Sequence, residues 1–165
     1  MFGILSGERI EKVISENVIG RIACCDNGKS YIVPISYGYD GQSIYAHSRE
    51  GWKISIMRQN PNVCFQVDTM KDMADWESVI MWGKFQELTQ EKDKQEALKV
   101  LMNRRLPLIS SETVKLSPEW PFNIGSEAKI GGILFKIDIT EKTGRYEALE
   151  LEGKEIKLHS HKPGS

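Results

Sequence analysis

The sequence predicts a mainly β fold, an antiparallel barrel of about six strands with two to three short helices. Two observations carry this. Apolar and polar residues alternate with period two in a series of short stretches, and helical spacing appears only in between. Turn clusters, Asp26-Asn27-Gly28 and Asp40-Gly41, join the first of these stretches at hairpin distance. Strands that follow one another through short turns favour an antiparallel barrel with helical insertions.

Each element can be read in order. Ser6 is a candidate N-cap for a short helix carrying Ile10, Val13 and Ile14 on one face. From Gly20 the period changes, and residues 21–25 read as a strand ended by the first turn cluster. Tyr31, Val33, Ile35, Tyr37 and Tyr39 then alternate with Ile32, Pro34, Ser36 and Gly38, a second strand. Residues 43–47 return as a third. Residues 48–60 are ambiguous: Trp52, Ile54 and Ile56 alternate, but Trp52/Ile56 and Lys53/Met57 are also four apart. Ser48 as N-cap and Asn60-Pro61 as a stop favour a helix. Residues 63–68 form a strand, 69–75 a loop, and 76–88 a long strand bent at Gly83. Thr89 is expected to cap a helix with Ala97, Leu98, Leu101 and Met102 inward. Residues 106–132 lack periodicity and contain Pro107, Pro118 and Pro121, a length that points to a functional or partner-packed segment. Ile133, Phe135, Ile137 and Ile139 make a last strand. Residues 1–152 thus read as one domain and 153–165 as a polar C-terminal tail.

Composition narrows the function. The chain has 165 residues, enough for one self-supporting core, and a formal net charge of -1. That charge gives no electrostatic case for nucleic acid or an anionic membrane. No apolar run reaches the length of a membrane span, and the N-terminus turns charged too early for a signal peptide. Three cysteines, Cys24, Cys25 and Cys64, are no disulfide framework, so a cytoplasmic location is expected. No metal-ligand spacing, Ser-His-Asp set or carboxylate pair is evident, and no metal site is expected.

One stretch has the chemistry of an anion seat. In "YAHSREGWK", residues 45–53, a hydroxyl, two cations four apart and a glycine surround the expected start of a helix. Unpaired helix N–H groups, the helix dipole and the Arg49 and Lys53 charges would converge on one anion. Glu50 would compete for that potential. A capped helix with surface charges is the plainer alternative. Pro34, mid-strand, cannot donate a ladder hydrogen bond. It marks an edge, a bulge or a place where something other than a strand lies alongside.

The order of "IGRIAC", "YIVPISYGYDGQSIYAHSREGWKISIMRQNPNVCFQVD" and "WESVIMWGKFQEL", with "FKIDITEKTGRYEA" more loosely, resembles the pyridoxamine 5′-phosphate oxidase-like superfamily of FMN-binding split barrels. Within it the chain is most similar to the nitroimidazole-resistance (Nim-type) branch. The resemblance covers about residues 20–88. It implies a six-stranded antiparallel split β-barrel and a homodimer with flavin at the subunit interface. The cofactor it implies is FMN, with FAD as an alternative. Carried over, Ser48 and Lys53 match the phosphate positions, with Arg49 a helper. Val33, Pro34, Ile35 and Ser36 match the strand beside the isoalloxazine ring. His47 matches a histidine near the redox centre and is the catalytic candidate. Ser78 falls on a strand that touches flavin, and Trp120 is a candidate to reach the partner's site.

The implied activity is that of an oxidoreductase passing electrons to a small organic acceptor, with a nitroaromatic such as a 5-nitroimidazole as one candidate. A flavin carries its own redox chemistry, so the protein need only bind, orient and tune it. The Arg-rich signatures of true pyridoxamine phosphate oxidases are absent, which speaks against the vitamin substrate. A non-catalytic flavin-binding stress or sensor module, or a haem- or deazaflavin-binding relative, remains open from sequence.

Overall fold

The structure, a computed structural model, describes residues 1–104 and 132–148. The chain runs β1 (Phe2–Ile4), α1 (Gly7–Glu16), β2 (Ile19–Asp26), β3 (Lys29–Tyr39), β4 (Ser43–Ser48), α2 (Trp52–Gln59), β5 (Asn62–Asp72), β6 (Asp75–Glu87), α3 (Glu91–Asn103) and β7 (Ile133–Glu147).

Local sequence sets the first hairpin. Asn27 and Gly28 both take positive φ, 47° and 82°, the backbone that a two-residue turn between twisted strands demands. That turn fixes the register Asp26↔Lys29 and, along the ladder, Arg21↔Pro34. Alternation then sends Ile22 and Cys24 inward and leaves Ile19 and Arg21 outside.

All pairings are antiparallel. The order is β1-β7-β4-β3-β2-β5-β6, and β6 also pairs with β7. That last pairing closes β2 to β7 into a six-stranded ring, and β1 is an addition to the end of β7. The fold is therefore mainly β, a split barrel. Its interior holds Ile22, Tyr37, Phe65, Val67, Met81, Phe135 and Ile137, all buried. Side chains of this size contribute roughly 1.5–3 kcal/mol each when fully buried. Helix α1, with Ser6 accepting from Arg9 N at 3.2 Å as its cap, adds Ile10, Val13 and Ile14 to the same core. The buried Tyr37 hydroxyl donates to Ile14 O at 2.6 Å, so its polar end is satisfied. Helix α2 contributes Ile54, Ile56 and Met57. Helix α3 packs Ala97 and Leu101 with Leu88 and Leu134 in a second cluster.

Several expectations need correction. Residues 69–75 are not a loop: β5 runs to Asp72 and β6 starts at Asp75. Helix α2 begins at Trp52, not beside Ser48, because Ser48 is held in β4 opposite Ile133. Gln90, not Thr89, stands at the N-cap of α3, and Met102 is exposed. Strand β1 and the polar second half of β7 lay outside the sequence reading. The bend at Gly83 is a register shift in the β6–β7 ladder between Trp82 and Gly83. The aperiodic residues 106–131 and the tail lie outside the described residues.

Candidate functional site

The site begins where β3 and β4 part. Only Tyr37, Gly38 and Tyr39 of β3 pair with β4. Beyond Ala46, β4 continues along β7 through His47 and Ser48. Residues 29–36 of β3 pair with β2 on one side, and among the described residues no strand takes the other. Tyr37 donates its N–H to Val18 O on the β2 side at 3.0 Å. By the two-residue alternation of an antiparallel strand, the main-chain groups of Ile32, Pro34 and Ser36 face the open edge. Pro34 removes one N–H there, so the edge presents a carbonyl without its usual neighbouring donor. A proline in this place is harmless to the ladder and blunts pairing with another strand.

The 45–53 stretch borders this edge. At one end Ala46 sits opposite Tyr37. At the other, Trp52 packs on Tyr31 with ring centroids 4.8 Å apart, and Lys29 Nζ lies 5.4 Å from the Trp52 ring centre. The chain between these anchors turns from strand to helix alongside the unpaired part of β3.

Within the corner the side chains divide. Ser48 is buried, on the face of β4 that also carries Ile44 and Ala46, and its hydroxyl donates to Arg49 O at 2.9 Å. It does not cap α2. Gly51 does, with extended backbone and no side-chain bond to the first turn. Among the described residues the first N–H groups of α2 thus have no side-chain acceptor. Lys53 follows immediately. It is half-buried, and among the described residues it has neither a hydrogen bond nor an ion pair. Burial pushes its ammonium below the ordinary lysine value, and the nearby Cys24 thiol acts weakly the other way. An unpaired, partly desolvated cation beside free helix N–H groups is the electrostatic signature of a seat for an anion. Arg49 is exposed at the same corner.

Glu50 does not compete for the seat. Its carboxylate is taken by Arg58, Nη1 to Oε1 at 2.7 Å, and the same guanidinium bonds Glu87 at 2.8 Å. Cys24 is buried, and burial pushes its thiol up, which makes it a packing residue rather than a nucleophile.

His47 points to the opposite face of β4 from Ser48, sharing it with Tyr45. Its ring lies against Gly132, where a Cβ would stand 2.7 Å from Nε2 and 2.7 Å from Ser48 O. Gly132 has φ +95°, so both its backbone and the space next to His47 require glycine.

Of the other expected residues, Val33 and Ile35 turn their side chains to the core, Pro34 is exposed and Ser36 half-buried. Ser78 is not brought to the edge. It lies on β6, separated from β3 by β2 and β5, or about 14 Å at three strand spacings. Its hydroxyl accepts from Gln66 Nε2 at 3.1 Å. Trp120 lies outside the described residues. Sequence reasoning missed Arg104, which follows α3 and donates from Nη1 to Ser36 Oγ at 2.7 Å. An arginine after an amphipathic helix carries no local mark of such a contact.

Comparison with known proteins points the same way. A sequence profile of a family described as pyridoxamine 5′-phosphate oxidase matches residues 6–145. An uncharacterised protein of Rhizobium meliloti (strain 1021) is 38% identical over 85 residues, 52% of this chain and 56% of that one. The match thus spans little more than half of that relative's length. An FAD-binding protein of Mesorhizobium loti shares the fold at 30% identity and TM-score 0.69, covering 90% of this chain and 99% of that one. A Bacteroides thetaiotaomicron protein described as a candidate 5-nitroimidazole antibiotic resistance protein matches at 22% identity and TM-score 0.67, covering 88% and 87%. An FAD-binding protein of Mycobacterium smegmatis matches at 23% identity and TM-score 0.64, covering 90% and 100%. The last two show the fold alone.

Proposed function

Because the chain belongs to the pyridoxamine 5′-phosphate oxidase family, we propose that it binds a flavin nucleotide, FMN, and passes electrons from a reduced donor to a small organic acceptor. The observation that carries this reading is the pairing of two unspent features. One is the half-buried Lys53, without a hydrogen bond or ion pair among the described residues, at a start of α2 that has no side-chain cap. The other is the open edge of β3 over residues 29–36, with Pro34 in it. A phosphate needs the first and the polar rim of a planar ring the second, and both lie along one gap.

In this reading Lys53, the α2 N–H groups and Ser48 hold the phosphate, with Arg49 adding charge from outside. The main chain of residues 33–36 orients the ring edge. His47 acts as a hydrogen-bond or proton donor to the acceptor. A bound flavin supplies the electron-transfer chemistry, and the protein supplies position and electrostatics. A nitroaromatic such as a 5-nitroimidazole is the proposed acceptor class. The FAD-binding description of the Mesorhizobium loti protein, similar to this chain over nearly its whole length, favours FAD as a second reading. The Lys53 corner suits the inner phosphate of either.

The proposed assembly is a homodimer with flavin at the interface. Across the register, Ile32, Ala23, Cys64 and Trp82 form a row on the outer face of β3-β2-β5-β6, beside exposed Ile19 and Ile80. Ile32 is 63% and Trp82 39% exposed, which supports cover by a second copy. A partner also explains how Ser78 reaches a flavin from which its own chain holds it apart. A cytoplasmic location fits the cysteine pattern. Among the described residues no helix is long and apolar enough to cross a membrane.

The test is direct. The purified protein is examined for a flavin absorption spectrum, and the released cofactor is identified by chromatography and mass. Flavin-loaded protein is then mixed anaerobically with a reduced nicotinamide and a 5-nitroimidazole. Repeated reduction and reoxidation supports the oxidoreductase reading. Bound flavin that no donor reduces favours the sensor module, a Soret band the haem relative, and failure to take up FMN or FAD removes the proposal.

A further inference from the structure

We infer that Arg104 marks a second anion-binding subsite, which takes the carboxylate or phosphate of a small molecule brought to the Ser36 end of the β3 edge. That the molecule is a redox partner of the flavin rests on the function proposed above; the anion subsite itself does not. A guanidinium has five N–H donors. Among the described residues Arg104 uses one, from Nη1 to Ser36 Oγ at 2.7 Å. Its Nε is shut off from solvent and donates to nothing. Among the described residues no carboxylate pairs with it. That buried Nε cannot be reached from outside, so a ligand would meet the Nη N–H groups that Ser36 leaves over.

The surroundings make room for one. Arg104 lines a cavity of about 670 Å³ with Asn17, Tyr37, Tyr39, Asn103 and Glu16. Most of these polar groups are already engaged. Asn17 Nδ2 donates to Val13 O and Thr69 Oγ1. The Tyr37 hydroxyl is on Ile14 O, and that of Tyr39 is shared with Glu11 and Lys142. Glu16 is exposed and paired with Lys12 at 3.8 Å, so it is not spent on Arg104. The guanidinium is the strong donor that remains, and its fork geometry matches a carboxylate or phosphate through two parallel bonds. Burial lowers the proton affinity of Arg104, consistent with a cation for which the described residues supply no counter-charge. Simple neutralisation of the α3 C-terminus would not need the side chain to reach Ser36, 68 residues away.

The experiment follows the arginine Nε–H resonances by ¹⁵N NMR as sodium benzoate, and separately inorganic phosphate, is added. Arg104 is assigned by the loss of its signal in Arg104→Lys. The titration is done with and without saturating FMN. The expected result is saturable movement of the Arg104 signal with at least one anion, in both states and in Lys53→Met. Arg104→Met, whose binding is read by isothermal titration calorimetry beside the unmutated protein, should bind about tenfold or more weakly, the size of a charge-assisted contact. An Arg104 signal unmoved by both anions overturns the inference, as does unchanged binding in Arg104→Met. Movement of the signal in a protein that takes up no flavin sustains the subsite and removes only the flavin reading. Movement with phosphate and not benzoate assigns the subsite to phosphates, and the reverse to carboxylates.

Discussion

Replacing Lys53 by Met separates a binding cation from a structural one, because two measurements should move in opposite directions. The Lys53 ammonium is half-buried, unpaired among the described residues, and held below the ordinary lysine value by burial. In the flavin-free protein the charge is therefore a cost, and Lys53→Met should leave thermal stability unchanged or raise it. In the complex the same charge meets a phosphate. A hydrogen bond to a charged group is worth roughly 1.5–3 kcal/mol, which weakens flavin binding by about 10- to 150-fold. Flavin fluorescence titration and thermal denaturation of the flavin-free protein read the two effects. The sign with pH follows from the same shift. The unfolded chain holds its Lys53 proton to higher pH than the folded chain does. Flavin-free stability from this residue should therefore rise with pH between the lowered folded value and the ordinary 10.5. Flavin affinity should fall through that window, and Lys53→Arg should flatten the fall. Unchanged affinity in Lys53→Met, or a flavin-free protein that loses stability, would refute the reasoning and leave Lys53 a packing residue.

Three further outcomes are expected. Gly132→Ala places a Cβ 2.7 Å from His47 Nε2 on a backbone at φ +95°, so chemical denaturation should show a loss of about 1–3 kcal/mol together with a shift in the His47 ring resonances. Glu11 is a partly buried carboxyl whose bonds to Lys142 and Tyr39 outweigh the cost of burial and hold it below the ordinary 4.5. Its contribution is full above 4.5 and lost as pH falls through the folded value, so Glu11→Gln should be less stable near neutrality and show a shallower acid loss, read by denaturation from pH 3 to 7. Ile32→Glu with Trp82→Glu puts charge in the exposed apolar row; sedimentation should give a monomer with weakened flavin binding, whereas an intact dimer would place the interface elsewhere.

The elements readable from sequence were those with one wet and one dry face. The alternation of β3 and the stripe of α1 mark their buried faces directly. The elements that were missed have no such contrast. Strand β1 is three residues long and largely exposed, the distal half of β5 is mostly exposed, and the distal half of β7 is polar apart from Gly144 and Tyr146. Their ladder bonds hold them, and backbone pairing leaves no pattern in side chains. The site divides along the same line. Pro34 and Lys53 carry covalent facts, a missing N–H and a fixed charge, that hold wherever the fold puts them. The start of α2 does not. Ser48 has the chemistry of an N-cap, but its pairing with Ile133, 85 positions on, keeps it in β4 and passes the cap to Gly51. Arg104 was invisible because its meaning lies in a contact with Ser36 across the fold.

The split in the barrel is what turns these pieces into a site. A continuous β3–β4 ladder would satisfy the edge of residues 29–36 and leave a planar ligand nothing to bind. The three-residue pairing keeps the barrel closed at Tyr37, Gly38 and Tyr39, while among the described residues no strand takes the rest of that edge of β3. Pro34 protects that opening, since a strand added there would lose a ladder bond. The departing β4 then delivers the corner, with Lys53 and a helix start that has no side-chain cap, beside the edge that it has left. In the proposed reading, one divergence of two strands creates both the ring-binding edge and the phosphate seat. Mutations that restore pairing along 29–36 should therefore abolish flavin binding even with Lys53 intact.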